Sequence, residues 1–145
     1  MKKYIAYGSN LNTNQMSMRC KCAKVYDTGK LIGYRLEFRG HGTGGHLTIV
    51  KTENKKDIVP VAIWEINEND EKSLDRYEGY PIYYKKYNIS VLSDSFGDID
   101  GIVYIMSDGF DIQKPTELYL DTCRKGYEDF GFECEPLNNA VDRTK

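Results

Sequence analysis

Residues 4–11 read Tyr4-Ile5-Ala6-Tyr7-Gly8-Ser9-Asn10-Leu11, an alternating apolar segment that runs directly into a Gly-Ser-Asn turn. The alternation predicts a β-strand, and Gly8 lets the backbone adopt left-handed angles or approach another molecule closely. The next residues, 12–20, predict a short helix capped by Asn12 or Thr13. A turn at a helix N-terminus offers unpaired N–H groups to an anion or an oxyanion, although spacing alone favours an ordinary strand-to-helix turn.

The size and charge of the chain exclude several classes of function. Its 145 residues fit one domain, residues 1–145. The formal net charge of −2 gives no basic footprint for nucleic acid or anionic lipid, so we expect a small polar ligand or a protein partner. The apolar run before Gly8 is too short for a signal-peptide core, and no stretch has the length of a membrane span. The sequence therefore predicts a cytoplasmic protein that binds neither nucleic acid nor membrane.

The cysteines give no indication of a metal site. They are Cys20, Cys22, Cys123 and Cys134, and the only histidines are His41 and His46. These spacings match no zinc pattern. We therefore expect no metal, and free thiols of the kind found in a reducing compartment.

Strand-like segments dominate the rest of the chain. Residues 23–26, 30–39, 46–52, 58–66, 83–92 and 101–106 are rich in β-branched and aromatic residues. Many short strands separated by turn signals predict a closed or strongly curved sheet. Two later helices are predicted, one over residues 67–77 that ends at Gly79, and one from Pro115 to Phe130 that ends at Gly131.

Three segments are interpreted as connections or ends. The glycine-rich run 40–45 lacks the Lys-Ser/Thr ending of a phosphate-binding loop, so we expect a flexible connection between strands, placed to act as a lid if a pocket lies nearby. Asp98 and Asp100 are interpreted as residues of a hairpin turn. The polar tail 138–145 is expected to fray.

Glu78 is the strongest candidate for chemistry. It is predicted to be the last residue of its helix, where unpaired carbonyl groups disfavour an ionised carboxylate and raise its pKa. Burial would raise the pKa further, towards the value that a general base needs near neutral pH. The residues expected to bury Glu78 are Tyr77, Tyr80 and Tyr83. Most glutamates are solvated surface residues, and that interpretation stays open here.

A nucleophilic triad is a weaker hypothesis. Ser9 with His41 or His46 and one of the aspartates has the necessary residue types. Gly-Ser-Asn is not a nucleophile elbow, however, and the histidines lie in the glycine-rich loop, His41 within it and His46 at its end. We therefore do not expect a triad.

Two segments together resemble a known family. Residues 4–11 and the sequence Leu-Asp-Arg-Tyr-Glu-Gly at residues 74–79, followed by a late helix with Tyr119, Gly126 and Gly131, are similar to the gamma-glutamylcyclotransferase family, including its AIG2-like branch. The resemblance covers nearly the whole chain in the same order. It implies an α+β fold, a small mixed β-barrel flanked by helices, which agrees with the strand-rich pattern.

The resemblance also implies an activity and a site. Family members convert a γ-glutamyl amide into 5-oxoproline and release the attached amino acid or amine, without a metal or an organic cofactor. Glu78 would be the acid/base, and the residues implied to bind the γ-glutamyl substrate are Tyr4, Tyr7, Gly8, Ser9, Asn10 and Tyr119. The Gly8-Ser9 amides would bind either the oxyanion or the α-carboxylate of the substrate.

Two alternatives to a small-substrate cyclotransferase stay open. One is a non-catalytic member of the same fold that binds a small ligand or a protein. The other is a variant that removes a γ-glutamyl group from a larger intermediate. Glu78 favours an enzyme over a binder, because binding alone does not require a carboxylate there. Exposed tyrosines also suggest a homodimer.

Overall fold

The computed structural model of the chain describes residues 1–145 and contains eight strands, four α-helices and one 3-10 helix. In chain order these are β1 (Lys2–Ala6), the 3-10 helix (Ser9–Leu11), α1 (Thr13–Arg19), β2 (Lys24–Ile32), β3 (Tyr34–Gly40), β4 (His46–Lys51), β5 (Ile58–Ile66), α2 (Glu68–Glu78), β6 (Tyr84–Ser93), β7 (Gly97–Met106), β8 (Asp111–Ile112), α3 (Glu117–Phe130) and α4 (Glu135–Asp142). The α+β class predicted from the sequence is confirmed.

Five of the strands close into a barrel in the order β1-β5-β2-β6-β7, and β4, β3 and β8 form a second sheet. β1 pairs antiparallel with β5 and parallel with β7, where Tyr4 lies opposite Ile102. The barrel strands contribute fully buried side chains to one continuous core, among them Ile5, Ile63 and Val103. The small mixed β-barrel flanked by helices is therefore confirmed.

Local signals set both ends of α2. The side chain of Asn67 accepts a hydrogen bond from the Asp70 N–H at 2.8 Å, and the Asp70 carboxylate accepts one from the Asn67 N–H at 3.2 Å, which forms a capping box. Gly79 ends the helix in the left-handed conformation, with φ of 65°. The helix begins one residue later than predicted and ends at Glu78.

One predicted strand boundary is wrong. The sequence predicts an interruption at residues 27–29, between the segments 23–26 and 30–39. In the structure β2 runs without interruption from Lys24 to Ile32, and the strand ends at Gly33, where φ is 82°. Gly29 lies inside β2, where a Cβ would be 2.6 Å from the Leu92 carbonyl oxygen of β6. Gly29 therefore marks a close approach between strands rather than a turn.

Two further expectations are wrong. Asp98 and Asp100 lie within β7, opposite Leu92 and Ser90, and the hairpin turn comes earlier, at residues 94–96. The tail 138–145 was expected to fray, but most of it belongs to α4. This helix packs Leu137 and Ala140 into the core, with both side chains fully buried. Their burial against β3 of the second sheet outweighs the polar composition of the tail.

The run 40–45 connects β3 to β4, as predicted, and the Gly45 N–H donates a hydrogen bond to the Lys114 carbonyl at 2.9 Å. None of the helices combines the length and the hydropathy of a membrane-spanning segment.

Candidate active site

The turn after β1 presents backbone amides at the end of the strand. The chain enters the 3-10 helix here, and its first hydrogen bond runs from the Leu11 N–H to the Gly8 carbonyl at 3.0 Å. The amides of Gly8, Ser9 and Asn10 precede that bond, so they have no acceptor within the helix. α1 follows with its own cap, the Asn12 side chain, which accepts from the Gln15 N–H at 3.0 Å.

Gly8 does not use the left-handed conformation that the sequence suggested. Its φ is −128°. A Cβ at this position would make ordinary van der Waals contacts, 3.4 Å from Leu47 and 3.8 Å from the Tyr119 hydroxyl. The backbone of Gly8 therefore lies within contact distance of β4 and α3.

A cavity of about 180 Å³ lies beside this turn. The turn, the start of β4, the end of α2 and residues of β6, β7 and α3 contribute to its wall. A cavity of ~150 Å³ suffices to hold benzene, so the space fits a ligand group of glutamyl size. The seven candidate site residues from the sequence all line it, namely Tyr4, Tyr7, Gly8, Ser9, Asn10, Glu78 and Tyr119.

Six more lining residues were not among the candidate site residues. They are His46, Leu47, Tyr77, Tyr83, Tyr84 and Tyr104. Tyrosine richness is the only sequence signal common to most of them, and it does not say which tyrosines converge. Of the three tyrosines expected to bury Glu78, Tyr80 is not part of the wall and is 40% exposed.

The buried tyrosine hydroxyls of the cavity wall are paired within the protein. Tyr7 donates to the Tyr104 carbonyl at 2.6 Å, and Tyr84 donates to the Leu47 carbonyl at 2.6 Å. The hydroxyl of Tyr119 accepts from the Leu47 N–H at 3.0 Å. Burial raises the pKa of Tyr7, Tyr84 and Tyr119, so these side chains form a neutral and rigid wall.

The polar side chains of the turn are also paired. The Asn10 amide donates to the Tyr4 hydroxyl at 2.9 Å. The Ser9 hydroxyl shares a hydrogen bond of 3.0 Å with the Tyr77 hydroxyl. Because Ser9 is held by a tyrosine at the end of α2, the turn and α2 are joined directly at the cavity.

His46 does not complete a triad with Ser9. Its Nδ1 shares a hydrogen bond of 2.7 Å with the Tyr83 hydroxyl, and its ring packs edge-on against Tyr119. Burial lowers the pKa of His46, which favours the neutral imidazole. Ser9 and His46 are thus hydrogen-bonded to different tyrosines and not to each other.

Glu78 differs from the other polar side chains in the wall. Its carboxyl group makes no hydrogen bond within the protein that affects its pKa. Burial raises that pKa from 4.5 to about 8, and the positive charge of Arg19 opposes the rise. The negative charge of Glu78 in turn adds to the effect of burial in raising the pKa of Tyr4 and Tyr83. Glu78 is thus a half-buried residue whose carboxyl group faces the cavity without a hydrogen-bond partner in the protein.

Neither the acidic residues nor the cysteines form a metal centre. No group of three or more His, Cys, Asp or Glu side chains is arranged to hold a metal ion. The four cysteines are free thiols, and Cys20 and Cys123 are buried.

Comparison with known proteins gives consistent matches. The profile of the family described as gamma-glutamyl cyclotransferase, AIG2-like, matches residues 4–124. A gamma-glutamylcyclotransferase of Bos taurus is 35% identical over 83 residues, which span 52% of this chain and 43% of the bovine protein. One of Homo sapiens is 26% identical over 140 residues, which span 91% of this chain and 73% of the human protein.

Solved structures agree at the level of the fold. The structure of a gamma-glutamyl cyclotransferase superimposes with a TM-score of 0.84 at 24% identity, and the superposition covers 99% of this chain and 88% of that one.

Proposed function

Because the chain belongs to the gamma-glutamyl cyclotransferase, AIG2-like family, we propose that it forms 5-oxoproline from a γ-glutamyl amino acid or a γ-glutamylamine, with Glu78 as the acid/base. The observation that carries this proposal is the unpartnered Glu78 carboxyl group, with a pKa raised to about 8 by burial, in the same wall as the Gly8–Asn10 amides. A general base for an ammonium group needs a carboxylate of raised pKa that no internal partner neutralises.

The first chemical step is removal of a proton from the substrate. At neutral pH the α-amine is an ammonium group and has no free electron pair, so Glu78 accepts one of its protons. The amine nitrogen then attacks the δ-carbonyl carbon and forms the ring C–N bond. Because attack is intramolecular, a cavity that holds the glutamyl group folded supplies much of the acceleration, with effective molarities of about 10⁵ M or more.

The second step breaks the bond to the leaving nitrogen. The tetrahedral intermediate collapses as Glu78 returns its proton to that nitrogen. The attacking nitrogen loses two protons, one before attack and one as the ring closes, and Glu78 carries each in turn to the leaving nitrogen. The amine therefore leaves as an ammonium ion, and the reaction needs no external acid, base or cofactor. The Gly8–Asn10 amides donate to a negative oxygen of the substrate, either the α-carboxylate or the oxyanion, where one donor contributes about 3 kcal/mol.

The size of the cavity limits what the leaving group contacts. About 180 Å³ holds the glutamyl group, so an attached amino acid or amine extends towards the mouth, where Tyr77 is 43% exposed. We therefore propose that the enzyme is specific for the glutamyl group and accepts leaving groups of different structure.

The direct test is a 5-oxoproline assay of the purified protein against a panel of γ-glutamyl dipeptides and γ-glutamylamines. We expect turnover of at least one substrate class. Binding of γ-glutamyl compounds without 5-oxoproline formation anywhere in the panel would replace the proposal with the non-catalytic alternative.

The pH dependence of the rate follows from Glu78. Because the active enzyme form is the carboxylate, whose pKa burial raises to about 8, and the active substrate form is the ammonium ion, kcat/KM is expected to rise with pH up to about 8 and to fall once the substrate ammonium group loses its proton. A bound ammonium group stabilises the carboxylate, so the corresponding midpoint in kcat is expected at lower pH. Steady-state rates between about pH 6 and 10 measure both midpoints. A kcat/KM that is already constant above about pH 5 would contradict the assignment of Glu78 as the base.

A further inference from the structure

Arg19, the last residue of α1, contacts both parts of the site from behind the cavity wall. Its Nη1 donates to the Asn10 Oδ1 at 2.5 Å, and its Nη2 donates to the Gln15 Oε1 at 2.8 Å. The plane of the guanidinium group lies over the Tyr77 ring, with the Cζ atom 3.5 Å from the ring centroid. One side chain therefore holds the turn through Asn10 and the end of α2 through Tyr77.

These contacts close a ring of interactions around the site. Tyr77 immediately precedes Glu78, and its hydroxyl is hydrogen-bonded to Ser9 at 3.0 Å. Asn10, which accepts from Arg19, donates in turn to Tyr4 at 2.9 Å. A planar guanidinium group can stack on an aromatic ring and donate at its edge at the same time, which an ammonium group cannot do. The ring thus depends on arginine in particular.

Arg19 is also the charged group that acts on Glu78. The tyrosines that face Glu78 come from β1 and the turn after it, from β6 and the residue before it, from β7 and α3, and from its own helix. They are Tyr4, Tyr7, Tyr77, Tyr83, Tyr84, Tyr104 and Tyr119. Burial raises the pKa of Tyr4, Tyr7, Tyr84 and Tyr119, and it lowers the pKa of His46 on β4. None of these groups is charged near neutral pH, and Arg19 alone opposes the effect of burial on Glu78.

We propose that Arg19 is a positioning residue with two separable roles: its planar group fixes the Gly8–Asn10 turn against α2, and its positive charge, held over the ring of the residue next to Glu78, favours the Glu78 carboxylate. The first role concerns the geometry of the reacting groups and rests on the proposed function. The second role concerns the folded protein alone and holds whatever the substrate is.

The charge role is tested without any substrate. We measure the free energy of unfolding of the wild type and of Glu78→Gln as a function of pH and take the difference, which isolates the effect of proton binding at Glu78. This difference changes over a range of pH, here called the window. The upper end of the window reports the ionisation of Glu78 in the folded state. In the Arg19→Gln background, we expect that end to move upward by about one pH unit.

Two variants separate charge from shape. Arg19→Lys keeps the charge but loses the stack and the paired donors, so the window is expected to stay in place while kcat falls about tenfold or more with little change in KM. Lys86→Gln is the matched control, because Lys86 binds α2 through Glu71 and Asp75, each at 2.8 Å, yet it does not contribute to the pKa of Glu78. Lys86→Gln should destabilise the protein without moving the window.

The outcomes are distinguishable from those of the proposed function. If the window in Arg19→Gln coincides with that of the wild type, Arg19 does not control Glu78, even in an active enzyme. If the window moves but no γ-glutamyl compound is turned over, the charge role stands and the proposed reaction fails. If Arg19→Gln does not fold, Arg19→Lys still tests the shape role, and unchanged kcat in that variant would overturn it.

Discussion

Replacement of Glu78 by glutamine is expected to abolish 5-oxoproline formation, with a loss of about 10³-fold or more in kcat. The substituted amide has nearly the same shape as the carboxyl group, but it can neither accept the ammonium proton nor return it to the leaving nitrogen. The assay is 5-oxoproline release from the best γ-glutamyl substrate at saturating concentration. Glu68→Gln, an exposed position in the first turn of the same helix, is the matched control and should retain full activity.

The same substitution is expected to stabilise the protein at high pH. Because burial raises the pKa of Glu78 in the folded state from 4.5 to about 8, the fold favours the protonated form. Relative to Glu78→Gln, the wild type therefore loses stability as the pH rises from about 4.5 through about 8. At about pH 9 we expect the variant to be more stable by up to about 5 kcal/mol in urea unfolding.

The combination of lost activity and gained stability is what a carboxyl group retained for function predicts. Undiminished turnover by Glu78→Gln would exclude Glu78 as the acid/base. Equal stability of the two proteins at high pH would show that the Glu78 carboxylate is solvated in the folded state.

Gly126→Ala is expected to lower the unfolding free energy by about 3 kcal/mol, because overpacking against backbone atoms cannot be relieved by rotating a side chain. Gly126 lies on α3 where that helix crosses the 3-10 helix. A Cβ there would be 2.6 Å from the Asn12 nitrogen and 2.7 Å from the Leu11 carbonyl carbon. Intrinsic helix propensity alone predicts the opposite sign, a gain of about 1 kcal/mol, so the direction of the change decides between the two effects.

The substitution is also expected to lower kcat/KM by about tenfold or more, since a small displacement of positioned groups has large effects on rate. The Gly8–Asn10 turn precedes Leu11 directly and moves with it. Urea unfolding and steady-state kinetics measure the two effects. Glu128→Ala, an exposed position on the same helix, is the matched control; if Gly126→Ala is as stable as this control, α3 does not constrain the turn.

Several features of the site were predictable because their causes are local. Strand alternation over residues 4–7 and the Gly-Ser-Asn turn identified the first part of the site. The cap residues Asn67 and Gly79 bracket α2, and they place Glu78 at its last position. Each of these signals acts over a few residues of backbone, so it survives in any tertiary context that tolerates the segment.

Other features depended on contacts between distant segments. The glycines at 29 and 33 look alike in the sequence, and only the approach of β6 shows that the first lies within a strand and the second ends it. The tail became a helix because the core accepts Leu137 and Ala140. Arg19 carried no signal of a role, since its partners Asn10 and Tyr77 meet only after folding.

The sequence by itself determined the barrel-forming strands in outline, the Gly-Ser-Asn turn and the helix that ends at Glu78, since hydrophobic period and capping chemistry act between near neighbours. Only the tertiary structure decided which tyrosines form the wall, that Glu78 lacks a partner, and that Arg19 acts on it. The hydrogen bond between Ser9 and Tyr77 spans 68 residues of chain. Burial and charge act through space, so the pKa of Glu78 is a property of the folded barrel.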